Sequence, residues 1–364
     1  MSMINLDDIK STKNLDKSNV YGSVEELSKQ CLHAYEDATK IVVDDSYREI
    51  NKIIITGMGG SGLGARIIDG VFGLKLKYPF FHIHDYDLPS WVDKKTLVIC
   101  SAFSGETEEP VQTARQAQKL GCKWMAIGSG GTIIELAKKY NVPFYQIVST
   151  YNPSKQPRMA IGYSLIGQLI MVAKTGIIDF SKKDLDSSLK AMQKIIDKMK
   201  ISIKIDSNPA KQIAQKLYQK NIIFVASRHL VGAAHTTKNQ INENSKNFTT
   251  IFDIPELNHH LMEGLRFPDS NKKDLIFFFI ESNLYPEKIS QRFEITQDVI
   301  KKNNIEFVTY KAEAEDSLSQ VFEFVQFGGY LAFYLAMLNG LDPAAIPWVD
   351  YFKTKLGQSL GQWK

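Results

Sequence analysis

The apolar residues of this chain fall into short continuous runs of strand length, separated by amphipathic stretches of helical length. In the first half, "KIIIT" (52–56), "FFHIH" (80–84), "TLVICS" (96–101), "KWMAIG" (123–128) and "PFYQI" (143–147) read as strands. They are nearly unbroken apolar runs, as expected where both faces of a parallel sheet are covered. Helical spacing runs over 108–120 and 132–140, and "RMAIGYSLIGQLIMVAKTG" reads as a helix ending at Gly176. The second half repeats the pattern, with strands over 221–227, 249–254, 275–281 and 305–311. Its helices are expected over 232–246, 287–303 and 318–338, and a last one is opened by Pro347 at its first turn. Such alternation predicts an α/β chain of two doubly wound, mainly parallel-sheet domains with a cleft between them. The expected spans are 1–176, a charged helical connector over 177–207, and 208–364. Ligands of such sheets bind at the C-terminal strand ends.

Composition narrows the class only modestly. The 364 residues are 44% hydrophobic and 23% charged, ordinary for a folded globular protein. A net charge of +4, with lysines interspersed among acids, implies no nucleic-acid or membrane partner. The N-terminus "MSMINLDDIK" has no apolar leader segment, and "LIFFFI" is of strand length. Three cysteines, Cys31, Cys100 and Cys122, without C-x-x-C spacing read as reduced thiols in a cytoplasmic protein.

Two loops carry candidate chemistry. "GMGGSGLG" (57–64) follows the first strand, and glycines there let backbone N–H groups approach an anion at a helix N-terminus. It contains G-x-G-x-x-G, with Asp85 near the distance expected for a ribose contact, so a dinucleotide is one reading. "SAFSGET" (101–107) follows the third strand and should open on the same edge. Its hydroxyls Ser104 and Thr107 stand just ahead of a helix, where they can hold a phosphate or simply cap. Together the loops favour a terminal phosphate over a pyrophosphate bridge.

At this point the residues resemble a known family. "GMGGSGLG" with "SGET" is similar to the sugar isomerase (SIS) domain. "DYDLPSWV", "QPRMAIGY", "KNQINENSKN", "IPELNHHLMEG" and "YLAFYLAMLNGLDPAAIPWVDYFKTKLG", in that order, resemble bifunctional phosphoglucose/phosphomannose isomerases over nearly the whole length. The resemblance implies two SIS-type domains and an aldose–ketose isomerase acting on glucose 6-phosphate and fructose 6-phosphate, with mannose 6-phosphate as a further substrate. It implies that Ser61, Ser104 and Thr107 bind the phosphate with backbone amides near Gly59 and Gly60. Glu243 would be the base, Arg158 the cation for the enediolate, and His259 and Lys353 the pair that assists ring opening. It further implies no cofactor, no metal, and a homodimer that completes the site across its interface.

On pattern alone these residues are unremarkable. Glu243 and Lys353 read as solvated, Arg158 as half of a surface salt bridge, and adjacent His259 and His260 do not share a helix face for a metal. The chain also departs from the family pattern at Ala102, Glu106 and Ile346, which bears on substrate preference. Glu106 is expected to point away from a bound phosphate. A sugar-phosphate sensor that binds without turnover is the alternative.

Overall fold

The computed structural model describes residues 4–361, so residues 1–3 and 362–364 of the expected spans lie outside it. Three helices precede the first strand: α1 (Ile9–Leu15), α2 (Val20–Glu25) and α3 (Leu27–Ala38). The first sheet contains β1 (Lys52–Thr56), β2 (Phe80–Ile83), β3 (Thr96–Ser101), β4 (Lys123–Gly128) and β5 (Phe144–Gln146). All pairs are parallel, in the order β2-β1-β3-β4-β5. Its helices are α4 (Leu63–Phe72), α5 (Glu108–Leu120), α6 (Gly131–Lys139) and α7 (Ile161–Ala173). Between the sheets lie α8 (Lys182–Met199) and α9 (Pro209–Leu217).

The second sheet contains β6 (Asn221–Ala226), β7 (Thr249–Asp253), β8 (Leu275–Ser282) and β9 (Glu306–Ala312), also all parallel, in the order β7-β6-β8-β9. Its helices are α10 (Leu230–Gln240), α11 (Asn271–Asp274), α12 (Glu287–Lys302), α13 (Ser317–Leu338) and α14 (Pro347–Ser359). Each sheet reverses its winding beside its first strand. The crevice so formed lies at the C-terminal ends of β1 and β3 in the first sheet. The two glycine-bearing loops leave from those ends.

The two sheets share one core. α4 packs on α10, and the approach is close because Gly232 faces the α4 backbone, where an added Cβ would stand 2.7 Å from the Arg66 carbonyl oxygen. α8 packs along α13 and touches α3, so the stretch read as a connector is built into the fold. Among the described residues, α13 is the one helix long and apolar enough to cross a membrane, and its apolar window is entirely buried inside the fold.

Two expected helices differ from the pattern where the site lies. The segment at 158 begins with a 3-10 turn, Pro157–Met159, and α7 starts only at Ile161. The helix expected over 232–246 is α-helical to Gln240 and then widens into a π turn, Ile241–Ser245, ending on Lys246 at φ 58°. Single π turns inside helices occur often at functional sites.

Candidate functional site

The first loop is a 3-10 turn, Gly59–Gly62, that feeds α4. Gly59 has φ +50°, a region that side-chain-bearing residues rarely adopt, and a Cβ there would meet nothing within 4 Å. Its requirement is therefore conformational. At Gly60 it is steric: a Cβ would stand 3.2 Å from the Pro157 carbonyl oxygen and 3.3 Å from Arg158 Cα. The glycine loop thus sits directly on the turn that holds Arg158. Ser61 is buried, and its hydroxyl oxygen accepts from the Phe103 N–H at 2.9 Å, tying the first loop to the second. That leaves the Ser61 O–H proton to donate.

In the second loop Ser104 is exposed, and its hydroxyl accepts from the Glu106 N–H at 3.3 Å. Thr107 occupies the N-cap position of α5, but its side chain makes no capping bond. The carboxylate of Glu106 accepts from Thr132 N (2.9 Å) and Thr132 Oγ1 (2.7 Å), on the α6 side of the loop. Ala102 is fully buried. Its neighbour Ser101 accepts from Gln168 at 3.2 Å.

Gln168 lies in the middle of α7 and is fully buried. Its Nε2 donates to the Ser61 carbonyl at 2.7 Å as well as to Ser101, so one amide holds both the glycine loop and the end of β3. Gln168→Leu is expected to raise KM about tenfold through loss of a buried hydrogen bond, with a smaller change in kcat. Steady-state kinetics separates the two, and an unchanged KM would remove this role.

The charged residues converge on the π turn. Arg158 is 3% exposed. Its Nε donates to Asn244 Oδ1 (2.6 Å), one terminal nitrogen to Gln156 Oε1 (3.1 Å), and the other to the carbonyls of Pro343 and Ala344 (both 2.8 Å). The nitrogen that meets Gln156 also stands 3.8 Å from Glu243 Oε2. Burial raises the Glu243 carboxyl above its ordinary range, against the opposing charges of Arg158, Lys353 and Lys246. Lys246 donates to the carbonyls of Asn244 (3.0 Å) and Asp342 (3.2 Å), and burial with the charge of Arg158 pushes its ammonium down to about 8. Arg158 and Lys246 together fasten the turn at 342–344, from which α14 departs carrying Lys353.

Ser61, Arg158, Glu243 and Lys353 are therefore brought together by geometry or charge. His259 is not. It ends a 3-10 turn, Glu256–His259, and is exposed, and no hydrogen bond or ion pair among the described residues joins it to that group. Among the described residues no three His, Cys, Asp or Glu side chains gather as a metal site.

The sequence model of the bacterial phospho-glucose isomerase C-terminal SIS domain matches residues 206–356. A bifunctional phosphoglucose/phosphomannose isomerase of Caldicellulosiruptor bescii is 32% identical over 341 residues, covering 93% of this chain and 99% of that protein. The chain belongs to the bifunctional phosphoglucose/phosphomannose isomerase family. A further relative of that name, from Thermoplasma volcanium, is 31% identical over 86% of this chain and 94% of its own length. Among solved structures, a hypothetical protein from Thermus thermophilus aligns with a TM-score of 0.74 at 15% identity, covering 96% of this chain and 94% of that one, a likeness of fold.

In this phosphoglucose/phosphomannose isomerase family member, sequence reasoning passed over three residues that hold the site: Gln168, Asn244 and Lys246. Gln168 had a signal, a lone amide on the otherwise apolar stretch "IGYSLIGQLIMVA". Asn244 and Lys246 had none, because the partners that place them in the site, Arg158 and the Asp342 carbonyl, lie on distant segments.

Proposed function

We propose that this chain interconverts glucose 6-phosphate and fructose 6-phosphate through an enediolate, and that it also accepts mannose 6-phosphate. The observation that carries the reading is the Arg158–Glu243 pair, 3.8 Å apart, seated against the glycine loop. Membership of the family supports the substrate class. The phosphate is held by the Ser61 hydroxyl, the amides around Gly59 and Gly60, the hydroxyls of Ser104 and Thr107, and the N-terminus of α5. Thr107→Val is expected to raise KM about tenfold, the cost of one hydrogen bond to a charged group, and kinetics that left KM unchanged would remove it from the pocket.

In the open-chain aldose, Glu243 takes the C2 proton. The C2–H electron pair becomes the C1–C2 double bond, and the C1 carbonyl oxygen takes up negative charge. The guanidinium of Arg158 offsets that charge where it develops. Glu243 then returns the proton to C1 while the O2 hydroxyl proton moves to O1, which leaves the ketose. Lys353 and His259 serve ring opening at the ring oxygen. A coupled assay from fructose 6-phosphate, followed by a screen with mannose 6-phosphate, tests the reaction. Tight binding with no turnover would overturn it.

The sheets are read as two units, 1–176 and 208–364, joined by 177–207, with the substrate in the cleft between them. A homodimer completes the site. In support, only Gly357 of α14 is buried, while Trp348, Tyr351 and Phe352 are 80%, 59% and 62% exposed. A helix of 13 residues with so little packing on its own chain needs a partner surface. Exposed His259 is then available to a neighbouring copy. The double variant Trp348→Asp/Phe352→Asp is expected to sediment as a monomer with reduced kcat, and an active monomer would overturn this arrangement. The three cysteines are unpaired and buried, in keeping with a cytoplasmic enzyme.

A further inference from the structure

A cluster of basic side chains on the other flank of the glycine loop has no part in the reaction above. Arg66 in α4, His82 on β2, His84 just beyond it, and His235 and Lys238 on successive turns of α10 converge there. His84 Nδ1 lies 3.0 Å from the Gly57 carbonyl oxygen and so carries the proton. Its Nε2 is then an acceptor, 2.9 Å from the Arg66 guanidinium and 3.3 Å from His82 Nδ1. Burial, then the charges of Arg66 and Lys238, press the His235 imidazolium down to about 3. Burial, with Arg66 and His84, presses His82 down to about 4.

The charge here is out of balance. Arg66 and Lys238 are both half-buried, and each lies within reach of the other's field. One acid, Asp69, bears on Arg66. The Lys238 ammonium makes no hydrogen bond or ion pair among the described residues. Partial burial and the charge of Arg66 hold the Lys238 ammonium below its ordinary range, so a counter-charge at this point would be favourable. A metal ion would be repelled by the two permanent cations. A planar guanidinium beside an ammonium matches an oxyanion.

We infer that this cluster is a second anion site, which takes a phosphate-type oxyanion between Arg66, Lys238 and the imidazole of His235, with His82 alongside. It is separated from the substrate pocket by the glycine loop itself. Gly60 packs on Pro157 and Arg158, and Ser61 meets Phe103, whereas Gly62 faces His84, whose Cε1 would stand 3.2 Å from an added Cβ. The inference does not depend on turnover.

Imidazole nitrogen NMR of the full chain during a titration with inorganic phosphate tests it. The His82 and His235 signals are expected to move saturably, and to keep moving in Ser104→Ala/Thr107→Val, which disables the substrate pocket. The response is expected to vanish in Arg66→Met/Lys238→Met. Lys238→Gln removes an ammonium that makes no hydrogen bond among the described residues, and is expected to weaken phosphate about tenfold, as for a lost charge-assisted contact. A wild-type chain with no saturable shift, or one unaffected by Lys238→Gln, would overturn the site. So would loss of the response in Ser104→Ala/Thr107→Val, which would place the anion in the substrate pocket instead. A histidine response that rises with protein concentration but not with phosphate would assign the cluster to carboxylates of a second copy, and would equally overturn it.

Discussion

Glu243→Gln is expected to lower kcat by roughly 10³-fold, the scale of a general base, while substrate-phosphate binding stays within a few-fold of wild type. The amide keeps the size of the side chain and loses only the capacity to take a proton. The proposed phosphate contacts lie on other elements, β1–α4 and β3–α5, so affinity for a non-reacting sugar phosphate should survive. Isothermal titration beside turnover measures both, and a variant with wild-type kcat would end the assignment. The same carboxylate is expected to set the acid limb of the pH profile. A base must be ionised to act, and burial holds Glu243 above the ordinary 4.5 of a glutamate. Activity is therefore expected to fall with decreasing pH earlier than for a solvated carboxylate. An acid limb at or below the ordinary value would mean that some other group takes the proton.

Asp7→Ala is expected to cost the fold about 3 kcal/mol, the scale for stripping a buried charge of its partner. The ammonium of Lys211 has no exposed side-chain surface and meets Asp7 at 2.9 Å, the Ile201 carbonyl at 3.0 Å and the face of Tyr334 at 5.6 Å. Asp7 also accepts from the Ile205 N–H at 3.0 Å, so it pins the N-terminal segment to the turn before α9. Lys211→Met should cost less. It removes the cation that needs pairing, and leaves an Asp7 side chain that is 30% exposed and still bonded to Ile205. Urea midpoints of the two variants decide the point, and the reverse order would show that the pair acts through the carboxylate.

The strands were legible because a parallel sheet covered on both faces leaves unbroken apolar runs, and "KIIIT", "TLVICS" and "KWMAIG" match β1, β3 and β4 residue for residue. Helices α1 to α3 were passed over, since they precede any strand and carry mixed polarity. The loops were legible because their glycines have local reasons, such as the positive φ of Gly59 and Gly105. Arg158 shows where local reading stops. A charged residue at a helix start suggests the surface, yet this one is buried because its donors are met by Asn244, Pro343 and Ala344, which lie 86 to 186 residues further along. The same holds for Lys211, whose partner is 204 residues away. No window of sequence contains such pairs.

The π turn at Ile241–Ser245 makes the position of the proposed base a matter of chain length. An α-helix advances about 100° per residue, so one residue fewer in this turn would let α10 run on as a regular helix and swing Glu243 away from Arg158. The change would require no alteration of either side chain. Loss of one residue from this turn is thus a route by which a relative with every site residue intact could lose the proton transfer, whereas Asn242 itself ties the turn to the first residue of β7, accepting from the Thr249 N–H at 3.0 Å and donating to the Thr249 carbonyl at 3.2 Å.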